Sequence, residues 1–210
     1  DVGMTPGSNL TKHFPGYLPI EKNVPFFPPI DFDLYKFRGK SHQFASKHGI
    51  DVERPVIGTV GNINPAKDYV TFIKSCARIK KVMPGTQFLI KGNVLRSQVT
   101  LFEKLKTLAN QNNLIDNRDI FFVQDAKDSS AALSLMDCYV QTSIGEGVST
   151  ALLEAMSMER AVVATNVGGT SDVIQDAQNG VLVNTQDHIF ISNVVLNLLK
   201  DDRKVENMSS

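Results

Sequence analysis

From Pro55 onward the chain alternates between two kinds of apolar patterning. Short runs made mostly of apolar and β-branched residues occur at 55–62 (PVIGTVGN), 86–92 (TQFLIKG), 119–124 (DIFFVQ), 138–143 (CYVQTS), 161–165 (AVVAT) and 180–184 (GVLVN). Runs of this kind predict strands buried on both faces of a sheet. Between them the apolar positions recur at helical spacing. Tyr69, Phe72, Ile73, Cys76 and Ile79 line one face of a helix over 68–82, and Leu101, Leu105 and Leu108 do the same over 98–113. Further helices are expected at 129–136, 149–158, 170–177 and 188–201. Six strands alternating with six helices predict an α/β fold with a doubly wound parallel sheet, because every parallel pair needs a crossover connection. Ligands of such sheets bind beyond the carboxyl ends of the strands. The loops that follow the strands, at 61–68, 91–97, 124–130, 142–150 and 165–171, are therefore where chemistry is expected.

The first 37 residues read differently. Six of the nine prolines lie there, at 6, 15, 19, 25, 28 and 29, and proline blocks both sheet ladders and helix interiors. Residues 1–37 are expected to be an arm and an extended linker passing over apolar surface, and residues 38–210 a domain. A chain that begins at Asp1 looks cut from something longer. Asp31-Phe32-Asp33 has the spacing of a carboxylate pair that holds a divalent cation, but it follows Pro28-Pro29 in the linker and reads as a solvated stretch.

Composition narrows the classes. With 42% hydrophobic and 21% charged residues in 210, the chain can bury a core. Its 22 basic and 22 acidic residues cancel, so nothing points to nucleic acid as a partner. Lys74, Arg78, Lys80 and Lys81 fall on one predicted helix and read as its solvated face, with an anionic-ligand or membrane-surface patch as the alternative. Cys76 and Cys138 belong to no metal-ligand pattern and are expected to be buried free thiols in a reducing compartment. No apolar run is long enough to span a bilayer, and no secretory signal pattern follows Asp1, so Asn9-Leu10-Thr11 and Asn207-Met208-Ser209 are read as chance glycosylation matches. His13, His42, His48 and His188 lie outside the strand-end loops and read as surface residues.

Neither a GxGxxG fingerprint nor a phosphate-binding P-loop occurs in any of these loops. The informative stretch is SIGEGVSTALLEAMSM, 143–158. After the strand at 138–143 the chain turns through Gly145-Glu146-Gly147, and a helix begins near Ser149 or Thr150, both good capping residues. The first amides of a helix lack internal partners and carry partial positive charge, which suits a phosphate. Glu146 precedes those amides and Glu154 lies about one turn into the helix. Two carboxylates flanking an anion site are placed to accept hydrogen bonds from hydroxyls on either side of it. A ligand with sugar, diphosphate and ribose in a row satisfies both. The alternative is plainer: Glu154 favours the helix dipole and Glu146 is a loop charge.

The segment 146–174 resembles the E-x7-E region of GT-B fold glycosyltransferases of the retaining family 4 type, and the likeness covers about residues 25–200. The resemblance implies a Rossmann-like carboxyl-terminal domain that binds a nucleotide-diphosphate sugar. It gives Glu146 to the sugar hydroxyls, Glu154 to the ribose hydroxyls, and Gly147, Val148, Ser149 and Thr150 to the diphosphate. Gly168-Gly169 matches the double glycine that follows, with Asp172 where glutamate is usual. In the loop after the first strand, Gly61 and Lys67 match, and Lys67 would neutralise the departing diphosphate. Asn62 stands in place of an arginine, so phosphate binding is weaker or another residue substitutes. Gly92 and Asn93 match the strand end near the nucleotide, and Gln124 and Asp125 the loop on the base side. Residues 26–37 resemble the interdomain linker. The resemblance implies hexosyl transfer with retention, carried by Lys67 and Glu146, without metal or cofactor, from a UDP-, GDP- or ADP-sugar to a glycan or lipid-linked acceptor in polysaccharide biosynthesis. It implies a cytoplasmic protein, with room for peripheral membrane contact by the full-length chain. Acceptor recognition, and the acid/base histidine that many members carry, belong to an amino-terminal domain that this chain lacks, as it lacks the helix that crosses back after Lys200. Two alternatives stay open: a sugar-nucleotide enzyme of another kind, such as an epimerase, and a non-catalytic binding or interaction module of the same fold.

Overall fold

The computed structural model describes residues 3–6, 23–125 and 129–200. In chain order these comprise β1 (Gly3–Pro6), β2 (Asn23–Phe26), α1 (His42–His48), β3 (Val56–Val60), α2 (Tyr69–Val82), β4 (Gln87–Lys91), α3 (Val99–Gln111), β5 (Ile120–Val123), α4 (Ser130–Leu135), β6 (Cys138–Gln141), α5 (Thr150–Ser157), β7 (Ala161–Thr165), α6 (Thr170–Val173), β8 (Val181–Val183) and α7 (His188–Leu198).

The six expected strands form one parallel sheet in the order β5-β4-β3-β6-β7-β8. Chain order runs outward from β3 to one edge and then outward from β6 to the other, so the switch point lies between β3 and β6. Both faces are covered. Phe72, Ile73 and Cys76 of α2, Phe102 and Leu105 of α3, and Ile191 and Val195 of α7 pack on one side. Phe44 and Ala45 of α1, Leu133 of α4, and Leu152 and Ala155 of α5 pack on the other. Each large apolar side chain removed from water in this way contributes about 1.5–3 kcal/mol. Strands β3, β4, β6 and β7 are buried at every position, which is why their sequences lack alternation.

Three differences from the sequence-based expectation have local causes. Helix α1 was not expected, yet its ends are well signalled: Ser41 Oγ accepts from the Phe44 amide, and Gly49 closes the helix in the left-handed conformation at φ 70°. The helix expected over 170–177 stops at Val173, because Asn179 Oδ1 accepts from the Gln175 amide and its Nδ2 donates to the Val173 carbonyl. Side-chain bonds of this kind compete with the helical ladder. Among the first 37 residues, β1 and β2 pair in parallel, Gly3 opposite Asn23 through Pro6 opposite Phe26. Beyond them residues 30–37 run over apolar surface: Tyr35 is buried in the second core, with Ile30 and Phe37 packed against it, and Ser157 Oγ donates to the Tyr35 carbonyl at 2.9 Å. Asp31 accepts from the Asp33 and Leu34 amides through Oδ1 and so caps a turn. Residues 7–22, with His13 and the acceptor pattern at Asn9, lie outside the described residues, as does the pattern at Asn207.

The basic stretch of α2 is only partly a solvated face. Lys74, Arg78 and Lys81 are exposed, but Arg78 Nε also donates to Ser192 Oγ on α7 at 3.0 Å, and the half-buried Lys80 pairs with Asp119. The Asp119 carboxylate is 5% exposed. Burial alone would raise its pKa. Hydrogen bonds from Arg118, from Lys80 and from the Ile115 amide outweigh that and hold it at about 2, against an ordinary 3.8. A carboxyl held below its unfolded value stabilises the fold above that value, and the contribution is lost as pH falls from about 4 toward 2. Asp119→Asn is therefore expected to flatten the acid limb of the stability curve between those pH values by roughly 2 kcal/mol. Chemical denaturation at pH 6 and pH 2 measures this, and an unchanged pH slope would contradict the assignment.

Cys76 and Cys138 are both buried and unpaired. Burial pushes the Cys138 thiol up to about 12, with nearby Asp137 adding to the effect, so neither thiol is poised to react. Among the described residues no helix is long and apolar enough to cross a membrane.

Candidate functional site

The loops after β3 and β6 meet above the switch point. After β3 the chain passes Gly61 and Asn62 and makes a 3-10 turn at Pro65–Lys67. Asp68 then takes a left-handed conformation at φ 44° and caps α2, accepting from the Thr71 amide and from Thr71 Oγ1. This sharp corner leaves Lys67 at the sheet's carboxyl edge rather than within the helix. After β6, Thr142 and Ser143 are buried. Thr142 Oγ1 donates to the Lys67 and Asp68 carbonyls at 2.9 and 3.0 Å, and the Ile144 amide donates to the Ala66 carbonyl at 2.8 Å. The two loops are thus stitched together by one side chain and one amide.

Lys67 Nζ and Glu146 Oε1 form a direct ion pair across this seam, with side chains 18% and 17% exposed. Ser143 Oγ donates to the same oxygen at 3.0 Å. Tyr69, the first residue of α2, donates its hydroxyl to the Gly61 carbonyl at 2.5 Å. Its pKa is driven up by burial and then by the Glu146 charge, so it remains a donor at any physiological pH.

The mouth of α5 opens beside this pair. Ser149 caps the helix in an extended conformation, and its Oγ accepts from the Leu152 amide. The Thr150 and Ala151 amides meet no acceptor among the described residues. Beneath the mouth lies Tyr139, wholly buried. Burial raises its pKa first; the charges of Glu146 and Glu154 add to that, and a hydrogen bond with Ser149 opposes it. The same buried phenol feels the charges of both carboxylates.

Two glycines let the loops approach. A Cβ on Gly92 would stand 1.8 Å from the Gly61 carbonyl oxygen, and one on Gly168 would stand 1.6 Å from that of Glu146. Gly168 is also left-handed at φ 53°, and the next amide, Gly169, donates to the Gly147 carbonyl. Gly145, by contrast, has open space around its Cβ position. Asn62 Oδ1 accepts from the Asn93 amide, and the Ile63 amide donates to the Asn93 carbonyl, joining the β3 and β4 loops.

Lys67, Glu146, Gly147, Val148, Ser149 and Thr150 thus lie at the start of α5, with Glu154 further along that helix. Gly61, Asn62, Gly92 and Asn93 form the adjoining wall. Gln124 and Asp125 are less engaged: Gln124 is exposed, and Asp125 pairs with Lys47 of α1 at 2.9 Å. Sequence reasoning missed the hydroxyls that hold the site, Thr142, Ser143 and Tyr69. A signal was available at 141–143, where a wholly buried strand ends in three polar residues. Lys91, at the end of β4, is buried and donates to Ser129 Oγ at 3.1 Å. Among the described residues no cluster of three or more histidine, cysteine or acidic side chains could hold a metal ion.

A parallel doubly wound sheet whose switch point carries a lysine, a glutamate and an open helix end is a Rossmann-like domain with a candidate anion site. The sequence profile of the family described as Glycosyl transferases group 1 matches residues 41–210, and the chain belongs to that family. It is similar to the putative glycosyltransferase EpsD of Bacillus subtilis (strain 168), 25% identical over 150 residues that cover 70% of this chain and 37% of that protein. The chain therefore spans little more than a third of the length of that relative. Its fold matches the Anabaena protein HepE, whose structure was solved in complex with UDP-glucose: TM-score 0.88 at 18% identity, over all of this chain and 57% of that one. It also matches the carboxyl-terminal domain of a glycosyl transferase group 1 family protein from Francisella tularensis, TM-score 0.74 at 23% identity, over 87% of this chain and 93% of that one.

Proposed function

We propose that the chain is the donor-binding part, residues 38–210, of a retaining hexosyltransferase of the family 4 type, acting on a nucleotide-diphosphate sugar without metal or cofactor. The observation that carries this reading is the meeting of Lys67, Glu146 and the open end of α5 at the switch point in a chain of the group 1 family. When the glycosidic bond to diphosphate breaks, negative charge grows on the leaving group. Lys67 and the Thr150 and Ala151 amides are the groups that receive it, preorganised in a partly enclosed site. Glu146 accepts from hydroxyls of the sugar and Glu154 from those of the ribose. Gly61, Asn62, Gly92 and Asn93 form the wall beside the nucleotide, and Gln124 and Asp125 lie toward the base. The acceptor, a glycan or lipid-linked saccharide, is brought by a further amino-terminal domain, joined through residues 1–37, in a cytoplasmic protein that meets its acceptor by peripheral membrane contact.

A competing reading, a non-catalytic module, draws on Asn62, whose uncharged side chain is spent on the Asn93 amide. Calorimetry with UDP-, GDP- and ADP-sugars separates the two. Binding of one of them supports the donor site, and binding of none supports the module. Glu154→Ala is expected to weaken the bound nucleotide by about 1–3 kcal/mol, the cost of leaving ribose hydroxyls without their acceptor. A dissociation constant unchanged by that substitution removes Glu154 from the ribose.

A further inference from the structure

The two charged groups assigned to different parts of the donor are bound to each other. Lys67, given to the diphosphate, and Glu146, given to the sugar, are direct partners. Both donors that reach the Glu146 carboxylate, Lys67 Nζ and Ser143 Oγ, converge on Oε1, and no donor among the described residues reaches Oε2. Of the residues named for the donor, Lys67 is the one cation, set against Asp125, Glu146 and Glu154. Asp125 is answered from outside the set by Lys47. The position that would add a second cation holds Asn62, already tied to Asn93. A diphosphate entering this site must therefore draw on the cation that Glu146 is using.

We infer that the Lys67–Glu146 pair makes the site select an intact sugar nucleotide over the bare nucleoside diphosphate that transfer leaves behind, and this rests on the donor reading above. With the sugar attached, its hydroxyls donate to Glu146 as Lys67 turns to the phosphates, so the carboxylate exchanges one set of donors for another. Without the sugar, Glu146 keeps the single hydrogen bond from Ser143 and faces the phosphates as an anion with its counter-charge withdrawn. At Glu146 the ligand's own charge works in the same direction. The terminal phosphate of a nucleoside diphosphate carries about −1.5 to −2 near neutral pH, whereas esterification by the sugar holds it at a single negative charge. Loss of the sugar thus raises the repulsion at the moment its compensation disappears, and the spent nucleotide is expelled.

The test is calorimetry on this chain with matched pairs: UDP-glucose and UDP, GDP-mannose and GDP, ADP-glucose and ADP. For the base the chain accepts, the sugar nucleotide is expected to bind at least about tenfold tighter than its diphosphate, the factor that corresponds to 1.4 kcal/mol. In Glu146→Gln the diphosphate is expected to bind tighter than it does to the wild-type chain, and the ratio to narrow to within about threefold. A gain in affinity cannot come from a site that has merely been damaged. A wild-type chain that binds the diphosphate as tightly as the sugar nucleotide overturns the inference while leaving the donor reading in place. So does a Glu146→Gln chain whose diphosphate affinity stays the same or falls. If no member of any pair binds, the donor reading itself fails and this inference with it. Should Glu146→Gln fail to fold, the wild-type ratio decides alone.

Discussion

Lys67→Ala is expected to weaken sugar-nucleotide binding by this chain about 10²–10³-fold, equivalent to about 3–4 kcal/mol. Two losses combine. The diphosphate loses a charge-assisted hydrogen bond, which contributes about 1.5–3 kcal/mol. The Glu146 carboxylate, 17% exposed, also loses the neighbouring positive charge that offsets its repulsion of the phosphates. Removing one partner of an enclosed pair costs more than the pair contributes, because a charge is left behind. The second loss can be recovered separately. Lys67→Ala combined with Glu146→Gln is expected to bind the bare diphosphate more tightly than Lys67→Ala alone, although it carries one more substitution in the site. Lys67→Arg retains charge but places a broader head where Lys67 Cε already approaches Gly61, at 2.8 Å from the Cβ position there, so only partial recovery is expected. Calorimetry on the four chains measures all of this. Full affinity in Lys67→Ala would remove the lysine from the diphosphate and would leave the open end of α5 as the phosphate site by itself.

How much of this was legible in the sequence follows from the range over which each feature is set. The strands were readable because burial on both faces writes an unbroken apolar run, and β3, β4, β6 and β7 are indeed buried at every position. The alternation of patterns then dictated a parallel sheet. Helix α1 escaped because only Phe44 and Ala45 of its seven residues are buried, too few to show a period; its caps at Ser41 and Gly49 were the usable signal. The order of strands across the sheet is a tertiary fact that no local pattern carries. The same holds for the site. Glu146, Glu154 and Ser149 lie within one short segment, and their spacing could be read directly. The Lys67–Glu146 pair joins residues 79 positions apart, and only the switch point between β3 and β6 brings them together. Thr142 and Ser143 act from inside, one on each loop, and hydroxyls are too common in sequences for two of them to announce such work. Asp125 shows the converse: its place in a strand-end loop was foreseeable, but its partner on α1 was not, since α1 itself went unseen.

Gly168→Ala is expected to cost about 2–5 kcal/mol in stability and to abolish measurable donor binding. The position holds φ at 53°, where a residue with a Cβ pays about 1–2 kcal/mol on conformation alone. The larger part is contact. The added methyl would stand 1.6 Å from the Glu146 carbonyl oxygen and 2.7 Å from its carbonyl carbon. Both are backbone atoms, so no rotamer change relieves the overlap, and the loop bearing Glu146 must move by more than an ångström. That loop carries the acid that pairs with Lys67 and leads directly into the α5 cap at Ser149, so the movement separates the cation, the acid and the helix end together. Gly145→Ala is the matched control on the same loop: its Cβ position is in open space and its φ is not positive. For a domain of this size about 2–4 °C of Tm corresponds to each kcal/mol, so Gly168→Ala should lower Tm by roughly 5–15 °C while Gly145→Ala leaves it nearly unchanged. Thermal unfolding of the two variants and calorimetry with the sugar nucleotide decide the matter. Equal behaviour of the two would mean that the β7 loop does not brace Glu146, and that the pair with Lys67 is held by the Ser143 and Thr142 hydroxyls alone.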